Sequence, residues 1–194
     1  MSEVEIGIGV RDRGEDAGER AEPEERVIRR YPSPEAVFRA SYDRLVQTLT
    51  LVAGDREVAA DAVQEGFIRL VREWRKISTY DDPVAWVYRV ALNLVRDHHR
   101  SLGRLARLLL RLGREAALEG GAAEENNGAP LSATAVGDAL RALPTKQREA
   151  VALCCVGDLT RRAAAEVMGV SEGSLSQHLH RAKEALRARM EKTS

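Results

Sequence analysis

Apolar side chains recur at three- and four-residue spacing along two stretches of this chain, and the segments before and between them lack that period. In the first stretch Phe38, Tyr42, Leu45, Leu49 and Val52 line one side of a predicted helix, with Ser33 suited to the N-cap, Pro34 to the first turn and Gly54 to the end. Asp55 caps a second helix whose stripe is Val58, Ala62, Gly66, Phe67, Leu70, Val71 and Trp74. A third begins at Asp82-Pro83, buries Val84, Val87, Ala91, Leu94 and Val95, and continues as a leucine- and arginine-rich extension through Leu112.

The second stretch opens at Leu143-Pro144. Thr145 caps a helix through Cys155 that Gly157 terminates, and Thr160 caps a short helix ending near Met168. Gly169 allows a tight turn, and Ser171 caps a last helix that buries Leu175, Leu179, Ala182 and Leu186. The alternation Val4, Ile6, Ile8, Val10 has no second strand to pair with. The expected fold class is therefore all-α: two small helical domains joined by a flexible acidic linker, the C-terminal one containing a helix-turn-helix. The boundaries read as a disordered charged tail (1–32), a first helical domain (33–111), a linker rich in Gly, Glu and Asn (112–138) and the helix-turn-helix domain (139–194).

Charge changes the picture when it is divided along these segments. The whole chain is neutral, yet residues 1–32 hold 6 basic against 9 acidic side chains and residues 33–111 hold 13 against 10. Residues 112–140 hold 1 against 5, and residues 141–194 hold 10 against 6. Two basic blocks kept apart by acidic ones suit two surfaces for a polyanion. No run approaches the ~20 apolar residues of a spanning helix, so stable membrane insertion is excluded and the cytoplasm is the expected location. The extension around Leu102 to Leu112 has the amphipathic character of a membrane-surface helix, but it reads better as the end of the third helix. Cys154 and Cys155 are adjacent and read as small buried apolar groups; no metal-spaced set, phosphate-binding glycine loop or paired-carboxylate cleft is present, so no catalytic residue, metal or cofactor is expected.

Three polar faces carry the candidate chemistry. On the second helix Asp61, Gln64, Glu65 and Ile68 form a mixed acidic and apolar side that suits a protein partner. The third helix shows Arg89, Asn93, Arg96, Asp97 and Arg100 opposite its buried stripe. On the last helix, at 100° per residue, Gly173, Ser174, Gln177, His180, Arg181 and Glu184 lie opposite Leu175 and Leu179, flanked by Ser176 and His178. Basic Arg161, Arg162 and Lys183 stand nearby, as a DNA-reading unit requires.

The run Asp61-Ala-Val-Gln64-Glu65-Gly-Phe-Ile68-Arg-Leu70 resembles the polymerase-clamp-binding segment of bacterial sigma factors. Pro83-Val-Ala-Trp86-Val-Tyr-Arg-Val-Ala-Leu-Asn93 with Asp97 and Arg100 resembles their minus-ten segment, and Leu143-Pro144 with Arg148, Val167-Met-Gly169-Val-Ser171 and Leu179-His180-Arg181-Ala182 resemble their minus-thirty-five domain. The small size resembles the extracytoplasmic-function group. That resemblance implies a non-enzymatic transcription initiation factor that binds core RNA polymerase (beta and beta-prime subunits) through Asp61, Gln64, Glu65 and Ile68. It implies minus-ten contacts from Arg89, Asn93, Arg96, Asp97 and Arg100, with a flipped base held in a loop pocket within Lys76 to Asp82. Minus-thirty-five contacts would come from Arg161, Arg162, Ser174, Ser176, Gln177, His178, His180, Arg181 and Lys183. An anti-sigma factor is a further candidate partner, and a free-standing helix-turn-helix regulator is the alternative. Leu92, Ala163 and Ala164 depart from the residues common in the family.

Overall fold

A computed structural model describes residues 31–111 and 135–190; the N-terminal tail and most of the linker lie outside the described residues. All regular structure among them is helical: α1 (Pro34–Ala53), α2 (Arg56–Arg72), α3 (Trp74–Ile77), α4 (Pro83–Arg111), α5 (Ala135–Arg141), α6 (Thr145–Val151), a π-helical turn (Ala152–Val156), α7 (Arg161–Met168) and α8 (Glu172–Met190). No helix is long and apolar enough to cross a membrane, and no His, Cys, Asp and Glu side chains among the described residues group to hold a metal ion.

Local chemistry sets most boundaries. The Ser33 hydroxyl accepts from the Ala36 amide (3.3 Å), and Asp55 accepts from the amides of Glu57 (2.6 Å) and Val58 (3.1 Å). Asp82 takes Val84 (2.9 Å) and Ala85 (3.0 Å), Thr160 takes Ala163 (3.2 Å) and Ser171 takes Ser174 (3.2 Å). Each satisfies first-turn amides that lack helical acceptors. Gly169, at φ 70°, closes α7 in the left-handed conformation that glycine adopts without strain.

The buried stripes differ in register from the periodic reading. In α1 the inward line is Val37, Ser41, Leu45, Thr48, Leu49 and Val52, whereas Phe38 is 42% exposed and Tyr42 is half-buried. These two rings turn aside to meet Phe67, with Phe38 4.6 Å from Tyr42 and 5.0 Å from Phe67 between centroids. In α2, Ala59 and Val63 are inside and Val71 is 59% exposed. The cysteines divide as well: Cys154 is half-buried, its thiol pushed up to about 11 by burial, while Cys155 is exposed.

Helices α1, α2 and α4 pack together as one unit, and α6, α7 and α8 as another. Where α2 crosses α4, a Cβ on Gly66 would lie 3.2 Å from a Val87 methyl and 3.6 Å from the Val87 carbonyl, so the two backbones approach closely. The two units do not stand apart. One continuous core joins Leu45, Leu49, Val87 and Leu92 to Leu153, Ala164, Val167 and Leu175, with α4 against α7 and α1 against the π turn. Gly157, just after that turn, is required by two neighbours: a Cβ there would meet the Leu153 carbonyl at 2.7 Å and the Tyr88 hydroxyl at 3.2 Å.

Candidate functional site

The α2 face is open to solvent. Asp61, Gln64 and Ile68 are exposed and Glu65 is half-buried, all on one side because their positions fall one helical turn apart. Glu65 accepts from the Arg69 side chain at 2.7 Å, which neutralises part of the acidic character read from the sequence. Beside this face, exposed Val71 and Phe38 line a shallow groove of 280 Å³ with Pro34, Glu35, Arg39 and Phe67. The sequence reading missed it because it assigned both apolar residues to the core.

On α4, Arg89, Asn93, Asp97 and Arg100 are exposed, and Arg100 pairs with Asp97. Arg96 is different. Its guanidinium grips both carboxylate oxygens of Glu149 on α6, at 2.8 and 2.6 Å, and also reaches the Asn93 side-chain carbonyl (3.2 Å) and the Met168 backbone carbonyl (3.4 Å). Glu149 is fully buried, and Lys146 supplies a second cation at 3.1 Å. Burial alone would raise the Glu149 carboxyl; the Arg96 fork and Lys146 outweigh it and hold the group below the ordinary carboxylate range.

The loop before α4 and the start of that helix form a cleft of 540 Å³ lined by Thr79, Tyr80, Asp81, Asp82, Ala85, Trp86 and Arg89. Its far wall is α7, through Ala163, Glu166 and Val167. The cleft thus contains the loop expected to hold a flipped base and one of the two tryptophans. Ala163, Ala164 and Leu92, the departures noted above, sit at the cleft wall, in the core and in the core respectively.

Helices α7 and α8 are joined by the Gly169 turn in helix-turn-helix order. On α8, Leu175 and Ala182 are fully buried and Leu179 and Leu186 half-buried, so Ser176, Gln177, His180, Arg181 and Lys183 face solvent. Ser174 and His178 are half-buried flanks; the Ser174 hydroxyl lies 2.9 Å from that of Ser171, and His180 lies 3.4 Å from Glu184. Arg161 and Arg162 are exposed at the start of α7, Arg162 pairing with Glu166 at 3.3 Å. Extra leucines stand free on the far end of α4, where Leu102, Leu105 and Leu108 are each more than half exposed.

Comparison with known proteins matches residues 37–105 to the family described as Sigma-70 region 2, and residues 133–186 to Sigma-70, region 4. The chain is 29% identical to the ECF RNA polymerase sigma factor SigE of Mycolicibacterium smegmatis over 84% of its own length and 63% of that protein's. It is 29% identical to SigL of Mycobacterium tuberculosis, also an ECF RNA polymerase sigma factor, over 78% of its length and 88% of the relative's. In fold it is similar to the sigma factor RpoE of Bartonella quintana, solved with the anti-sigma factor NepR (TM-score 0.65, 19% identity, 79% and 94% of the two chains). It is also similar to CnrH, solved with the cytosolic domain of CnrY (TM-score 0.57, 24% identity, 83% and 89%).

Proposed function

Since the chain belongs to the extracytoplasmic-function sigma factors of the sigma-70 family, we propose that it binds core RNA polymerase and directs it to specific promoters. The observation that carries this reading is the presence of both family regions in order on one chain, each offering a solvent-facing polar helix side. A free-standing regulator would leave the region 2 match without a role.

In this proposal the α2 face of Asp61, Gln64, Glu65 and Ile68 meets the polymerase, and Arg89, Asn93, Arg96, Asp97 and Arg100 meet the minus-ten strand. The factor is not an enzyme; strand opening draws on binding energy. A base held out of the stack shifts the duplex equilibrium, with aromatic stacking worth roughly 1–3 kcal/mol per base. The cleft between Thr79 and Asp82, floored by Trp86, is the proposed receptacle. Ser176, Gln177, His180 and Arg181 read the upstream element, supported by Arg161, Arg162, Lys183, Ser174 and His178. The proposal puts the protein in the cytoplasm with its polymerase, and an anti-sigma factor is a further proposed partner, as the titles of the two solved relatives record for those proteins.

Reconstituted initiation tests it. Purified chain added to core polymerase should give promoter-specific transcripts, and Gln64→Ala with Glu65→Lys should abolish co-purification while helicity is unchanged. Unaltered polymerase binding by that variant would remove the α2 assignment.

A further inference from the structure

The residues proposed to meet the minus-ten strand and the C-terminal unit occupy one another. Arg96 lies in the middle of that face, and its planar fork is filled by a carboxylate from the other unit, at 2.8 and 2.6 Å. A guanidinium engages a phosphate with the same two-pronged geometry. The Met168 carbonyl at 3.4 Å ties the same group to the end of α7. On the neighbouring turn Tyr88 is 1% exposed and covered by Gly157, while Arg44 on α1 reaches Asp158 at 3.4 Å. Helix α7 also walls the cleft at Thr79–Asp82. The α8 face, by contrast, stays open.

We infer that this is a closed state of the free protein, in which Glu149 holds Arg96 in the manner of a promoter phosphate and α7 blocks the minus-ten side, so that the two units must part before that strand can enter. The inference rests on the family reading for the role of α4. Glu149 fits the role of a latch because its carboxylate is fully buried, faces cations from both units (Arg96 and Lys146), and loses the Arg96 fork when the units separate. Twenty-three residues lie between Arg111 and Ala135, and a chain of that length spans at most roughly 80 Å, so parting the units strains no covalent connection.

Small-angle X-ray scattering of the full chain provides the test, alongside binding of a labelled single-stranded DNA oligonucleotide and transcription with core polymerase. Wild type should be compact. Glu149→Gln and Glu149→Lys should enlarge the radius of gyration at unchanged helicity, and the exchanged pair Arg96→Glu with Glu149→Arg should restore compactness. Glu149→Gln should bind the oligonucleotide at least tenfold tighter than wild type, whereas Glu57→Gln, the same charge change at an exposed site, should not. If Glu149→Lys loses helicity, the near-isosteric Gln variant decides. Wild type as extended as the variants, or Glu149→Gln with unchanged size and DNA affinity, would overturn the closed state. Transcription separates the two readings: a wild type already open that still initiates sinks the latch alone, and a wild type that never initiates with core polymerase sinks the sigma-factor assignment.

Discussion

The hydrogen bond between Tyr88 and Thr48 offers a sharp energetic test, because its two single variants should be unequal. Thr48 is fully buried and donates its hydroxyl proton to the Arg44 carbonyl at 2.7 Å, and the Tyr88 oxygen lies 3.2 Å from the same hydroxyl. With the threonine proton spent on its own helix, Tyr88 must be the donor. Burial pushes its phenol above the ordinary value, which keeps that proton in place. Tyr88→Phe removes the donor and leaves threonine still bonded to Arg44, at a cost of about 1 kcal/mol. Thr48→Val strands a buried phenol O–H under Gly157, where water does not reach, at about 2 kcal/mol. The double variant removes both partners and should cost only about 1.5 kcal/mol, a coupling of about 1.5 kcal/mol. At about 2–4 °C per kcal/mol for a chain of this size, Tm should fall by about 2–4, 4–8 and 3–6 °C respectively. Circular-dichroism melts and denaturant titrations would measure this, with promoter preference unchanged throughout. Costs that simply add, to within about 0.5 kcal/mol, would refute the proposed donor and acceptor arrangement.

Other expectations follow from single residues. Gly169→Ala forces an L side chain to φ 70° and should cost about 1 kcal/mol, lowering Tm and minus-thirty-five-dependent initiation together. Gln177→Ala or Arg181→Ala, screened against a library of upstream elements, should lose about 1–3 kcal/mol at one promoter position if the lost contact is to a base, and weaken all promoters alike if it is to phosphate. Asp82→Ala strips two amides of their acceptor at the start of α4 and should cost about 1 kcal/mol in thermal melts. Because the folded protein holds Glu149 below its usual 4.5, its contribution is complete above that pH and is lost as pH falls through the lower folded value. The stability gap between wild type and Glu149→Gln should therefore be constant at neutral pH and shrink below about 4.5, and a gap that widened on acidification would contradict the assignment.

The caps were legible because each is decided within four residues: Ser33, Asp55, Asp82, Thr160 and Ser171 all serve first-turn amides as their sequence context predicts. The exposed faces of α2 and α8 were legible for the same reason, since helical period alone separates them from the core. Register was harder. Ser41 and Thr48 point inward because their hydroxyls return to the Val37 and Arg44 carbonyls at 2.7 Å, which lets a polar residue lie in an apolar stripe while Phe38 leaves it. The π turn depends on a Gly157 amide that bonds the Ala152 carbonyl at 2.9 Å, and no residue type announces that choice. The pairing of Arg96 with Glu149 joins positions 53 apart, and a glutamate on a helix carries no mark of the arginine it will find.

The tight crossing at Gly66 bears on how one binding event could be felt by another. With Val87 backbone and side chain filling the space where a Cβ would stand, α2 and α4 have almost no room to slide, and any larger side chain would have to wedge them apart. The faces proposed for polymerase and for the minus-ten strand are then the two ends of one stiff lever with its pivot at this glycine. A polymerase that seized the α2 side would transmit its orientation to Asn93 and Arg96 with little play, aiming them as a rigid jig aims a tool; a bulkier residue at position 66 would leave both grips intact and spoil the alignment between them.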